Sequence, residues 1–184
     1  MPGWKMAEAN KQNMRSGGVY IGLGANLARD GFTPAQTLQA AIDELHKLAG
    51  PVVAQSSFWS SPAWPDPADP AYTNAVIELD TQLSPDRLLD IMQAIENVFG
   101  RVREKRWASR TVDLDIIDFR GLNRSDERLD LPHPRAQGRA FVMLPLSEIA
   151  PSWNDPVSGR KIEDLVAALE AGDRAATSRL EVAL

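Results

Sequence analysis

Asp113 and Asp115 stand one residue apart in the segment TVDLDIIDF at 111–119. The segment reads as a strand, where side chains alternate between faces. Both carboxylates therefore leave one face, and Val112, Leu114 and Ile116 leave the other, toward a core. Like charges about 6–7 Å apart along a strand repel unless a cation sits between them. Oxygen-only ligands suit magnesium, which keeps waters and leans on substrate phosphates. Taken alone, the pair equally suits two solvated acids. The ten residues before it, RVREKRWASR at 101–110, hold five Arg or Lys and one Glu, a local charge of +4. Forked guanidinium donors match phosphate oxygens. Cations beside paired acids are what phosphoryl transfer requires, since that chemistry is mostly positioning and charge neutralisation. Trp107 within the segment suits a stacking or lid role better than an idle loop.

Other polar residues could join them. Tyr72 and Asn74 share one face of a predicted strand and offer a ring, a hydroxyl and an amide to a flat polar heterocycle. A solvated outer face would look the same. His133 lies between Pro132 and Pro134, which fix its backbone and aim the imidazole; a phosphate contact and a plain surface turn both fit. His46 falls on a predicted helix and suggests no chemistry. Gly22-Leu-Gly24 lacks the third glycine of a dinucleotide-binding turn, and no Gly-Lys-Ser/Thr occurs, so a P-loop is excluded.

The chain has 184 residues, 43% hydrophobic and 24% charged, which is one domain's worth of ordinary globular sequence. It contains no cysteine, which excludes disulfides, thiolate-held metals and a thiol nucleophile, and fits a reducing compartment. Two histidines are too few for a multi-His metal site. The net charge of −5 leaves −9 outside the basic segment. A small basic patch on an acidic body points to a small anionic ligand rather than nucleic acid. No run approaches the roughly 18 apolar residues of a membrane span. The expected location is the cytoplasm, because residues 1–18 lack the apolar core of a secretory signal.

Residues 1–18 read as a disordered extension, 19–170 as a single domain, and 171–184 as a tail of uncertain order. Within the domain, 19–23, 52–59, 72–80 and 111–119 are predicted strands. Thr33-Pro34-Ala35-Gln36 is a capping box opening a helix that Gly50-Pro51 stops. Ser84-Pro85 opens a second helix with a Leu88, Met92, Ile95, Phe99 stripe. Residues 62–70 hold four prolines and must be a stiffened loop. Residues 120–134 read as polar loop, 140–149 as a short apolar segment, and 160–170 as a last amphipathic helix. The order βαββαβ predicts an α+β, ferredoxin-like fold: a four-stranded antiparallel sheet with helices on one face, plus C-terminal additions.

Several of these motifs together resemble the 6-hydroxymethyl-7,8-dihydropterin pyrophosphokinase family of folate biosynthesis. They are Gly24-x-Asn26-Leu27, Ser56-Ser57-Phe58, Tyr72-x-Asn74, Gly100-Arg101-Val102-Arg103, Arg106-Trp107, Arg110-Thr111-x-Asp113-Leu114-Asp115 and Leu131-Pro132-His133-Pro134-Arg135. The match runs in order from about Val19 to Leu169, departing at Ala25, Ser61 and Ala63. The resemblance implies the ferredoxin-like fold and transfer of a pyrophosphoryl group from ATP to a pterin hydroxymethyl group, with AMP leaving. It implies that Asp113 and Asp115 hold two Mg²⁺ ions and that Arg101 and Arg110 stabilise charge during transfer. Gln93, Glu96, Arg103, Trp107, Arg110, Arg128, His133 and Arg139 would contact ATP. Ser61, Pro62, Trp64, Tyr72, Asn74 and Phe141 would line the pterin slot. The implied partners are ATP and a small pterin, with no nucleic acid and no membrane, acting on a monomer. Two other readings stay open: an adenylyltransferase built on the same acid pair, which would release pyrophosphate, and an RNA-binding sheet, which the acids on its ligand face disfavour.

Overall fold

The computed structural model describes residues 17–28, 31–64, 66–100 and 111–181. Strand β1 (Val19–Ala25) is flanked on both sides, antiparallel to β4 (Tyr72–Leu79) on one and to the edge strand β5 (Asp113–Phe119) on the other. The far edge of β4 carries two short strands, β2 (Val52–Gln55) and β3 (Trp59–Ser61), and β8 (Ser178–Arg179) extends the sheet beyond β3. The sheet thus has six strands, where the sequence predicts four.

Part of that difference lies in one predicted strand, 52–59, which is interrupted at Ser56. The Ser56 hydroxyl accepts the Val76 N–H at 2.9 Å and donates to the Ser57 carbonyl at 2.8 Å. A side chain replaces a ladder carbonyl there, and the pairing resumes at Trp59. The predicted loop 120–134 holds a small hairpin of β6 (Arg124–Ser125) and β7 (Asp130–Leu131).

Helices α1 (Pro34–Leu48) and α2 (Pro85–Val98) begin where the sequence places them. Thr33 and Gln36 form the reciprocal capping box, and Ser84 caps α2 by accepting from the Arg87 N–H. Their apolar stripes bury Leu38, Leu45, Leu88 and Met92 against Ile21, Leu23, Ile77 and Leu114. Val112, Leu114 and Ile116 are all buried in this core, as strand alternation requires.

The opposite sheet face is covered too. Helix α3 (Ala140–Ile149) and α4 (Ile162–Ala167) bring Met143, Leu146, Ile162 and Leu165 onto Tyr20, Val76 and Ile117. The fold therefore has helices on both faces. Alternation sends Ile116 into the first core and Ile117 into the second, and a register shift at Ile117 returns Phe119, three residues after Ile116, to the first core. A short helix α5 (Ala171–Ala176) precedes β8.

Glu148 fastens α3 to the strand edge. It accepts from the Ser57 N–H at 3.1 Å, the Ser57 hydroxyl at 2.7 Å and the Trp59 indole at 3.1 Å. Burial pushes its carboxyl up, but these donors and the Arg179 charge outweigh that and hold it below the usual carboxylate range. A depressed carboxylate stabilises the fold above its unfolded value, near about pH 4.3, and that contribution is lost as pH falls through the folded value. Glu148→Gln is expected to flatten the acid limb of a melting-temperature profile below about pH 4.5. An unchanged acid limb in that variant would remove Glu148 from the account of acid stability.

Candidate active site

The ends of β1, β4 and β5 open into a cavity of about 460 Å³. Antiparallel register sets what its floor presents. Gly22 lies opposite Asp115, and Gly24 lies opposite Asp113 on one side and Asn74 on the other. Two bare glycines beside two acids leave open space at the sheet surface. A Cβ at Gly24 would sit 3.4 Å from Asn74 Oδ1 and 3.9 Å from the Tyr72 ring, at the top of that space. The same sheet face that buries Val76 and Ile117 at one end is thus hollow at the other.

One wall is built by β3 and the proline-rich loop. Ser61, Pro62 and Trp64 line it, and Trp64 is 65% exposed. The buried Asn74 amide donates to Ser61 Oγ at 3.0 Å and to the Trp59 carbonyl at 3.4 Å. Committing Nδ2 to the protein turns Oδ1 toward Gly24 and the cavity, where it can accept from a ligand N–H. Asn26 Nδ2 donates to the Pro70 carbonyl at 3.1 Å and ties the proline-rich loop back to the end of β1.

The other wall comes from the chain entering α3. His133 is pinned by its own N–H donating to the Ile117 carbonyl at 2.9 Å. Its Nδ1 accepts the Arg135 N–H at 3.2 Å, so the neutral ring carries its proton on Nε2. Nε2 lies 3.9 Å from Asp115 Oδ2. Burial pushes the imidazole below its ordinary value; Asp115 pulls it back up, while Arg139 and Arg135 push it further down. Next along the chain, the Arg139 guanidinium stacks 5.5 Å from the Phe141 ring centre.

The cavity brings together Asp113, Asp115, His133, Arg139, Ser61, Pro62, Trp64, Tyr72, Asn74 and Phe141, all expected from the sequence. Three other expected residues lie off its lining. Gln93 and Glu96 are on α2, and Glu96 is 2% exposed, accepting the Leu114 N–H at 2.8 Å. That bond fixes the backbone between the two acids. Arg128, in the β6–β7 turn, pairs with Asp86 and Asp90 of α2. Arg101, Arg103, Trp107 and Arg110 lie outside the described residues. Sequence reasoning did not single out Gly22, Gly24 and Arg135 as site residues, although all three line the cavity. The signal for the glycines was present, since glycine inside a strand often marks a close approach.

The donor set is carboxylate oxygen and suits a hard cation such as magnesium. Among the described residues no group of three or more His, Cys, Asp or Glu is placed to hold a metal by itself. An ion there would therefore share its coordination with water or a phosphate. Paired acids, a cation-rich wall and an aromatic slot in one cavity define a class, the transferases that move a phosphate-containing group onto a flat polar acceptor.

The comparisons make this specific. Residues 20–151 match the model of the 7,8-dihydro-6-hydroxymethylpterin-pyrophosphokinase family. A Synechocystis 2-amino-4-hydroxy-6-hydroxymethyldihydropteridine pyrophosphokinase is 42% identical over 81% of this chain and 74% of its own length. The Pseudomonas aeruginosa protein of that name is 42% identical over 82% of this chain and 90% of its own. A solved Plasmodium falciparum HPPK-DHPS superposes with a TM-score of 0.68 over 94% of this chain, at 13% identity, a likeness of fold alone. This chain spans half the length of that one. The chain belongs to the 7,8-dihydro-6-hydroxymethylpterin pyrophosphokinase family. The relatives it matches are pyrophosphokinases.

Proposed function

We propose that this chain transfers the terminal pyrophosphoryl group of ATP to the hydroxymethyl oxygen of 6-hydroxymethyl-7,8-dihydropterin. The observation that carries the reading is the cavity itself, which the acid pair and the Asn74–Tyr72–Phe141 slot line together. The hydroxymethyl oxygen attacks the β-phosphorus, the bond from that phosphorus to the α-phosphate oxygen breaks, and AMP leaves; the hydroxyl proton passes to solvent.

Asn74 orients the pterin. With Nδ2 committed to Ser61 and Trp59, its Oδ1 accepts from an N–H on the pterin edge. Tyr72 and Phe141 lie against the ring faces, and Ser61, Pro62 and Trp64 close the slot. His133 and Arg139 contact ATP from the second wall. The neutral Nε2–H of His133 donates to a phosphate oxygen. Gln93, Arg103, Trp107 and Arg128 complete the ATP contacts, Glu96 acts through the Leu114 N–H it holds instead of touching ATP, and Arg101 and Arg110 meet the charge that develops during transfer. Asp113 and Asp115 would hold magnesium, two ions in our reading, which when bound neutralises triphosphate charge and draws electron density from the transferred phosphorus. Their placement depends on Leu114, whose side chain is buried and whose N–H is held by Glu96.

The core of the domain, 19–170, is ferredoxin-like in this proposal, with β2 and β3 counted as one interrupted second strand. The protein works as a cytoplasmic monomer with no nucleic-acid partner. Among the described residues no helix is long and apolar enough to cross a membrane.

Asn74→Ala removes the pterin's acceptor and leaves the acids in place. The pterin KM is expected to rise about 30-fold, the worth of one well-placed hydrogen bond in a buried site, with the ATP KM within about twofold. Initial-rate kinetics with each substrate varied in turn check this. A loss confined to ATP would place the pterin elsewhere.

A further inference from the structure

We propose that residues 171–181 form a strap that sets both walls of the cavity, with Asp173 as its positioning residue. The segment lies past residue 151, where the family match ends. It grips the site elements at two points. At the first, Asp173 Oδ2 accepts the Ala140 N–H at 2.9 Å. Ala140 opens α3, and the residue before it, Arg139, makes no side-chain cap of its own. A helix start without a local cap leaves donors needing partners, and a carboxylate there is favoured by the helix dipole. Asp173 supplies it from 33 residues away. The turn it fixes carries Arg139, Phe141 and Val142 into the cavity.

At the second point, β8 zips onto β3, pairing Arg179 with Trp59 and Ser178 with Ser60. The Leu180 N–H continues the ladder to the Phe58 carbonyl at 2.8 Å. The Arg179 guanidinium lies over the Trp59 ring, 5.4 Å from its centre. Trp59 is the residue whose carbonyl receives Asn74 Nδ2, and β3 ends at Ser61, the other receiver. The buried Thr177 joins the two grips by donating to the Asp173 carbonyl at 2.9 Å. Glu170 fixes Asp173 from the other side by accepting its N–H at 2.7 Å. One short segment therefore holds the α3 wall by a cap and the β3 wall by a ladder, and the slot between them keeps its width.

The inference rests on the reading of the cavity as the pterin and ATP site. It is tested with Asp173→Ala, Asp173→Asn and, as a control on the far face of the sheet, Ile42→Val. Melting temperature, KM for each substrate and hydrogen exchange at the α3 N-terminus are measured on all of them. Asp173→Ala is expected to raise the KM for both substrates about fivefold, the factor that loss of a helix cap implies, with faster exchange across 140–143. Asp173→Asn keeps an acceptor oxygen and should stay within about twofold of the parent. Ile42→Val should lower the melting temperature and leave both KM values alone. If Asp173→Ala melts earlier with unchanged KM values, or if exchange at 140–143 does not respond, the strap only stabilises and the proposal is overturned. Exchange is read without turnover, so it judges the strap even if the parent shows no pterin-dependent activity, which is the outcome that would overturn the site reading instead.

Discussion

Asp115→Ala is expected to lower pyrophosphoryl transfer by about 10³-fold or more at any magnesium concentration, with the melting temperature close to the parent's. The size follows from the several kilocalories of charge stabilisation that a carboxylate-held cation provides, at about 1.4 kcal/mol per factor of ten. Excess magnesium does not restore a missing carboxylate, since the neighbouring Asp113 cannot occupy both strand positions. The fold tolerates the change because Asp115 is exposed and faces a glycine across the ladder, while β5 is held through Leu114 and Ile116 on the other side. Kinetics with magnesium titrated to saturation, run beside a thermal melt, give both numbers. Full activity in a folded variant would sink the assignment of Asp115 to the cation.

Gly24→Val should be nearly as damaging, through volume instead of charge. A Cβ at Gly24 is tolerable, 3.4 Å from Asn74 Oδ1, but the two methyl groups beyond it have only the cavity to occupy. Valine favours strand backbone, so β1 keeps its pairing. The pterin would lose both its space and its approach to Asn74 Oδ1. Pterin binding, followed by calorimetry, is expected to weaken by at least about 100-fold, the cost of blocking a contact worth about 3 kcal/mol. Gly24→Ala should cost far less, since that Cβ meets its neighbours at ordinary contact distance. Equal affinity in the valine variant and the parent would place the ligand away from the β1 floor.

Much of this site was legible because strand period is a strict rule. Alternation alone put Asp113 and Asp115 on one face and Leu114 in the core, and it paired Tyr72 with Asn74. Capping chemistry at Thr33 and Ser84 located both helices of the first layer. The second layer was not legible in the same way. Val76 sits on the face of β4 that alternation assigns to solvent, and only the fold shows α3 covering it. The 140–149 segment is apolar nearly all round, a pattern that signals burial without saying against what. The break at Ser56 needed one hydroxyl to replace a backbone carbonyl, which no periodicity records. Glu96 entered the sequence reading only as an implied ATP contact, yet it is buried and holds the strand between the two aspartates. Asp173 was invisible for a related reason, because its partner, the Ala140 amide, is distant in the chain.

The most direct test of the account is a product assay with magnesium-ATP and 6-hydroxymethyl-7,8-dihydropterin, resolving AMP, ADP and pyrophosphate. The account predicts AMP formed one for one with pterin consumed. Pyrophosphate release would mean attack at the α-phosphorus, ADP an ordinary kinase, and either would contradict it.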